Sequence, residues 1–262
     1  MRCPLIHCAE PTLARGQDCQ GQVAGARVCR PRAECGTIGG PPSSRLDFMH
    51  HSTILFDLDG TLTDPREGIT RSIQHALAQL GIDEPDLTKL EPFIGPPLLQ
   101  AFMEFYGFDE ARAWEAVGHY RERFKTVGLY ENLLFDGVLE MLEHLRGQGR
   151  TLYVATSKPS VFAREIARHF AFDHHFKVIY GSELDGTRTN KVELIAHLIA
   201  EERLDPEHTL MIGDRKHDLI GAHRNGLQAV GVGYGFGSHA ELMAESPAYY
   251  YATLPALRAA FS

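Results

Sequence analysis

Short apolar runs recur along the chain from Ile54 onward, each bounded by turn residues and separated by stretches of helical spacing. Ile54-Leu55-Phe56, residues 151–155, 176–180, 209–212, 229–232 and Tyr249-Tyr250-Tyr251 read as strands. Between them, Val138, Met141, Leu142 and Leu145 form one helical face; Val192, Ile195, Ala196 and Ile199 form another. Such alternation predicts an α/β fold, a Rossmann-like parallel sheet flanked by helices on both faces. The pattern changes between the first two runs. There Ile69, Ile73, Ala76, Leu77 and Leu80 recur at helical spacing up to Gly81, and 98–106 and 109–127 read as further helices around Gly95-Pro96-Pro97. No strand is predicted in that block. It reads as a small helical-bundle cap over 65–133, inserted into an α/β core made of 49–64 and 134–262.

Composition sets the first 48 residues apart from the rest. They hold all five cysteines, Cys3, Cys8, Cys19, Cys29 and Cys35, without the close pairs of a zinc ribbon. They carry six arginines, no lysine and four acids, a charge of +2 that leaves −10 for the remainder of a chain whose net charge is −8. No continuous apolar core of a secretion signal is present there. Residues 1–48 are therefore expected to be a disordered or non-native extension, with Met49 as an alternative start just before the first strand. From Met49 onward there is no cysteine, which suits a reducing, cytoplasmic setting. The acidic balance argues against a nucleic acid polymer as partner, and no apolar run is long enough for a membrane span. The pairs His50-His51 and His174-His175 lack nearby ligand partners and read as surface; oligomeric state is not legible.

The chemistry collects at the ends of the predicted strands, where ligands of such sheets bind. Asp57-Leu58-Asp59-Gly60-Thr61 follows the first strand, and its two carboxylates suit a nucleophile and an acid/base beside a cation. Thr156 and Ser157 follow the second, with Lys158-Pro159 opening a helix; the Thr156 hydroxyl and the Ser157 N–H could hold a phosphate oxygen there, or merely cap the helix. Lys191 opens the helix after the loop 181–190, and Asp214 and Asp218, four apart at a strand-to-helix junction, can converge on an oxygen-loving cation such as Mg²⁺. Each feature has a bland counterpart, a solvated lysine or acids at a helix N-terminus. Their order along one sheet carries the weight.

In that order, D-L-D-G-T, a strand ending at Thr156, Lys191 and the G-D-x-x-x-D of Gly213–Asp218 resemble the four motifs of the haloacid dehalogenase superfamily. Phe93-Ile94-Gly95-Pro96-Pro97, Asp185-Gly186-Thr187-Arg188 and Gly233-Tyr234-Gly235-Phe236-Gly237 resemble its phosphoglycolate phosphatase-like and 5′-nucleotidase-like branch, and the helical insert resembles its cap. The resemblance implies a Mg²⁺-dependent phosphate monoester hydrolase working through an aspartyl-phosphate. Asp57 would be the nucleophile, Asp59 the general acid/base, and Lys191, with Lys158 as rival, would balance phosphoryl charge beside Thr156 and Ser157. The metal would sit on Asp57, the Asp59 main-chain carbonyl and Asp214, with Asp218 bound directly or one shell out.

Family members that release halide lack an acid at the position of Asp59, so an oxygen leaving group is implied. The partner is then a small phosphorylated metabolite, with Phe93, Gly95 and Pro96 at the candidate specificity loop. Phe93, Phe102, Phe105 and Tyr106 could stack on a base or be core, and Tyr120, Arg121, Arg123 and Lys125 could meet a carboxylate or be a solvated face. A nucleoside 5′-monophosphate is slightly favoured over 2-phosphoglycolate. A sugar phosphomutase or a non-catalytic phosphate-binding module would also account for these residues.

Overall fold

Six strands of this computed structural model pair into one parallel sheet: β1 (Thr53–Phe56), β4 (Thr151–Pro159), β5 (Val178–Ser182), β6 (Thr209–Gly213), β7 (Gln228–Val232) and β8 (Tyr249–Tyr251). Residues 50–262 are described; the extension over 1–48, together with Met49, lies outside them. The strand order is β5-β4-β1-β6-β7-β8, so the chain winds outward from β1 in one direction and then returns to its other side. β1 is thus the point where the winding reverses, and its carboxyl end opens into the crevice where such sheets bind ligands.

The apolar runs are buried on both sides, with the two-residue period of a strand deciding which side chain goes where. Ile54, Phe56, Leu152, Val154, Leu210, Ile212, Val230 and Val232 face one layer, packed with Met141, Leu142 and Leu145 of α4 (Val138–Gly147), Ile166 of α5 (Ser160–His169) and Leu257 of α9 (Leu254–Ala260). Leu55, Tyr153, Ala155, Met211 and Ala229 face the other, against Leu194, Ile195 and Leu198 of α6 (Lys191–Glu202), Leu219 of α7 (Lys216–Arg224) and Leu242 of α8 (His239–Ala244).

Four details differ from the sequence reading. The strand expected to stop at Ala155 continues to Pro159, and α5 starts at Ser160, so Thr156, Ser157 and Lys158 stand on strand rather than at a helix start. A register shift between Thr156 and Pro159 lets β4 follow β5, and the Ser160 hydroxyl donates to Gly181 O (3.0 Å) to fix that extension. β5 begins two residues late because a 3₁₀ turn at Asp173–His175 precedes it and the Phe176 ring is drawn in against Phe56 and Phe172. The buried face of α6 is Lys191, Leu194, Ile195 and Leu198, not the face centred on Ala196, which is exposed. Lys191 is pulled inward by two carboxylates described below, and that sets the rotation of the helix.

The fourth concerns the insert. It begins and ends on two two-residue strands, β2 (Thr63–Asp64) and β3 (Leu133–Leu134), paired antiparallel in a block where the pattern predicts no strand; two residues are too few to show a period. Between them lie α1 (Arg66–Gln79), a 3₁₀ stretch Leu87–Phe93, α2 (Leu98–Tyr106) and α3 (Glu110–Arg123), which ends in a π-helical turn Phe124–Gly128. Ile73, Leu77, Phe102, Val117 and Phe124 of this insert belong to the same buried apolar cluster as the Ile54–Phe56 side of the sheet.

Candidate active site

Asp57 extends β1 by one rung, donating its N–H to Ile212 O (2.9 Å), and the chain then folds back on itself. Leu58 O accepts from Leu62 N (2.9 Å) and Thr63 N (3.0 Å), so Asp57 and Asp59, two residues apart, are both held buried in the crevice. Gly60 makes this loop possible. Its φ is +84°, and a Cβ there would stand 2.2 Å from Asp214 Oδ2. Thr61 closes the loop onto the same carboxylate, its hydroxyl donating to Asp214 Oδ1 (3.1 Å).

Asp214 directly follows β6, and its Oδ2 also accepts the Phe236 N–H (2.8 Å) from the Gly-rich loop after β7. Asp218 lies in the first turn of α7. Its Oδ2 accepts the Arg215 N–H (3.1 Å), while Oδ1 lies 2.6 Å from Lys191 Nζ. The same ammonium reaches Asp57 Oδ1 (2.8 Å) and donates to Ala155 O (2.7 Å). The carbonyl takes one of its N–H bonds, and the two carboxylates meet its charge as ion pairs. Asp59 Oδ2 has its own cation, Lys158 Nζ at 2.7 Å, which also stands 4.6 Å from the Phe124 ring centroid. Asp59 Oδ1 is buried with no hydrogen-bond partner among the described residues.

Burial dominates the protonation of this cluster. It raises Asp214 well above the usual carboxylate range, helped by the neighbouring charges of Asp218 and Asp57. It raises Asp218 to about 6 against the opposing pull of Lys191. Asp59 is also raised by burial, with Lys158 opposing. Burial alone would depress Lys191, but Asp218 and Asp57 outweigh it and hold the ammonium protonated. Burial and close charge partners of this kind are how functional sites shift their acids.

A cavity of about 300 Å³ opens from Asp57 and Asp59 toward the insert. Thr156, Ser157 and Lys158 line its sheet end, and Gly95, Pro96 and Pro97 one side. Trp114, Val117, Tyr120, Arg121 and Phe124, successive pocket-facing positions of α3 and its π turn, line another. Asp185, Gly186 and Thr189 of the loop after β5 face them.

Residues 54–232 match the family of haloacid dehalogenase-like hydrolases. The chain belongs to this family. It is 73% identical over 210 residues, 80% of this chain and 95% of the relative, to a protein from Pseudomonas aeruginosa named 5′-nucleotidase. It is 43% identical over 184 residues, 70% of this chain and 62% of the relative, to tyrosine-protein kinase PtkA of Mycobacterium tuberculosis. Among solved structures, a predicted phosphatase from Clostridium acetobutylicum superposes with a TM-score of 0.79 at 42% identity, covering 80% of this chain and 97% of that one.

In this hydrolase, Asp57, Asp59, Thr156, Ser157, Lys158, Lys191, Asp214 and Asp218 all lie at the carboxyl ends of β1, β4 and β6 or the helix starts beside them. Phe93 edges the cavity, yet it is 2% exposed and packs edge-on against Phe102 and Phe105, so most of its ring is insert core. Arg123 pairs with Glu131 (2.7 Å) instead of facing the cavity. Sequence reasoning missed the Lys158–Asp59 pair, the Thr61 contact and Trp114. Trp114 had a signal, its spacing of three, six, seven and ten from Val117, Tyr120, Arg121 and Phe124, but nothing in the sequence said which face of α3 looks onto the crevice.

The acids also have the character of a cation site. Carboxylate oxygens of Asp57, Asp214 and Asp218 lie within 4.8 Å of one another, all buried. Four acids face two ammoniums in the crevice, and among the described residues no ammonium pairs with Asp214. Buried hard oxygen donors that outnumber the cations beside them fit a divalent cation.

Proposed function

We propose that this chain is a Mg²⁺-dependent 5′-nucleotidase of the haloacid dehalogenase-like hydrolases, releasing phosphate from nucleoside 5′-monophosphates in two displacements at Asp57. The observation that carries the reading is the pairing of two buried aspartates with separate cations at the mouth of one apolar cavity: Asp57 with Lys191 and Asp59 with Lys158. The 73% identical relative's name supports the nucleotide. In this reading 65–133 is the cap and 49–64 with 134–262 the catalytic core.

The steps follow from the placement of the residues. An Asp57 carboxylate oxygen attacks phosphorus, and the bond to the ester oxygen breaks. Asp59, whose raised pKa favours the protonated form, gives its proton from the free oxygen to the departing alkoxide. Water then enters; Asp59 takes its proton as the water oxygen attacks phosphorus, releasing inorganic phosphate and restoring Asp57. The Thr156 hydroxyl and the Ser157 N–H bind phosphoryl oxygens at the end of β4. Lys191 holds the nucleophile in line and spreads positive charge toward the phosphoryl group. Mg²⁺, held by Asp57, Asp214 and the Asp59 main-chain carbonyl, supplies when bound the positive charge that lets a carboxylate approach a dianionic phosphate. Asp218 acts through Lys191 and the Arg215 N–H, to which its two oxygens are committed.

Arg121 favours a second reading, since a guanidinium in the cavity suits the carboxylate of 2-phosphoglycolate. A panel of nucleoside monophosphates, 2-phosphoglycolate and sugar phosphates, scored by kcat/KM, separates the two. Turnover should need Mg²⁺ and fall by at least ~10⁴-fold in Asp57→Asn, as expected for loss of a covalent nucleophile. Phosphate release that survives this substitution would remove Asp57 from the mechanism, and a protein that binds but never turns over would be a binding module.

A further inference from the structure

The cavity is longer than the chemistry at Asp57 requires. Tyr120 and Phe124 stand at its phosphoryl end, the Tyr120 phenol buried and raised by that burial and by the Asp59 charge, and Phe124 over Lys158. Trp114 lines the same cavity ten residues earlier on the same helical face. At a rise of ~1.5 Å per residue, that is about 15 Å along the helix axis. A two-carbon phosphate at Asp57 would leave the Trp114 end of the cavity unfilled, whereas a nucleoside monophosphate extends further toward it.

The far end is built for a flat ring. The six-membered ring of Trp114 lies so near Gly186 that a Cβ there would come within 3.3 Å of it, and Gly186 is held at a φ of +92° that favours glycine. The loop after β5 thus runs close beside the indole, where a side chain would crowd it. Arg121, two turns further along α3, places its guanidinium over the Trp114 ring, 5.8 Å from the centroid, and also lines the cavity. An indole with a guanidinium over one face can stack a ring on the other while the guanidinium fork supplies N–H donors close by. Phe93, by contrast, is spent in the insert core.

We propose that Trp114 is the base-recognition residue of this site, its indole stacking on the nucleobase while Arg121 donates to the base edge and the 5′-phosphate lies at Asp57. This rests on the 5′-nucleotidase reading above. Trp114 is the single tryptophan of the chain, so its emission reports directly on that contact. The full-length Asp57→Asn protein, titrated with a nucleoside 5′-monophosphate, should show saturable quenching, and ribose 5-phosphate should produce none. In an otherwise unchanged enzyme, Trp114→Ala should lower the ratio of kcat/KM for the nucleotide to that for ribose 5-phosphate by at least ~10-fold, chiefly through KM, and Trp114→Phe should recover most of it. Aromatic–base stacking of ~1–3 kcal/mol predicts a loss of this order. Equal quenching by both ligands, or an unchanged ratio in Trp114→Ala, overturns the assignment while leaving the nucleotidase reading in place. A wild-type enzyme that hydrolyses no nucleotide but does hydrolyse 2-phosphoglycolate overturns both.

Discussion

Asp214 shows what one residue contributes and what it costs. It is fully buried, it receives hydrogen bonds from Thr61 and Phe236, and it has no ammonium within ion-pairing distance among the described residues. Its pKa in the folded protein is raised by burial and by Asp218 and Asp57, so folding favours its protonated form. The sign of the pH effect follows: without metal, the folded state holds a proton that the unfolded state releases near pH ~4, so stability falls as pH rises from there through the raised value. Asp214→Asn removes that penalty. At neutral pH without metal it should melt above the wild type, by about 2–4 °C for each ~1 kcal/mol relieved, and should have lost turnover. Mg²⁺ should raise the Tm of the wild type by mass action and leave that of Asp214→Asn nearly unchanged. Calorimetry of both proteins with and without Mg²⁺ checks it; a variant less stable than wild type without metal would show that the two hydrogen bonds outweigh the charge.

Among the elements, α6 is fixed at both ends by polar contacts that its apolar pattern does not reveal. Its first residue, Lys191, is drawn under β1 and β4 by Asp57, Asp218 and Ala155 O. Its last, Glu202, accepts from the hydroxyls of Tyr153 on β4 (3.0 Å) and Tyr180 on β5 (2.9 Å) and pairs with Lys177 (2.8 Å). The hydrogen bond from Lys177 is the main cause of the lowered Glu202 pKa, with the two tyrosines adding to it. A depressed carboxylate stabilises the fold above its unfolded pKa of about 4.5, and this contribution disappears as pH falls through the folded value. Glu202→Gln should therefore cost about 1–2 kcal/mol at pH 7, with the gap to wild type closing in acid. Urea denaturation at pH 7 and below pH 4 measures it, and a gap constant with pH would mean that packing rather than charge is at stake. The same two anchors explain why apolar spacing alone misplaces the buried face of α6. A lysine at the leading position of a helix counts as polar in any periodicity, yet here it is 4% exposed.

At the scale of the molecule, one of the two buried apolar clusters runs across both insert and sheet. Ile73, Phe102 and Val117 from the insert and Phe56, Val154 and Ile212 from the sheet lie in one buried cluster. Elements that share a core lose it together. Trp114 lies in the insert, so its emission reports the insert, while far-ultraviolet circular dichroism reports all the helices. The two probes should trace a single coincident transition in urea. An emission change that precedes the dichroism change would show an insert that unfolds by itself.

The sequence by itself determined the α/β class, the alternation of the six sheet strands with helices, and the acids and lysines of the crevice. These features are periodic or local: a strand buried on both faces is an apolar run, and a site at the switch point must lie just after a strand. Only the tertiary structure decided that Lys158 pairs with Asp59 and Lys191 with Asp57 and Asp218, since no local pattern says which carboxylate a lysine will meet across strands. It alone placed the Trp114 face of α3 on the cavity and sent Phe93 into the insert core, because helical periodicity marks an apolar face without saying what that face meets. It alone supplied β2 and β3, which are too short to have a period and exist through pairing with each other across the whole length of the insert.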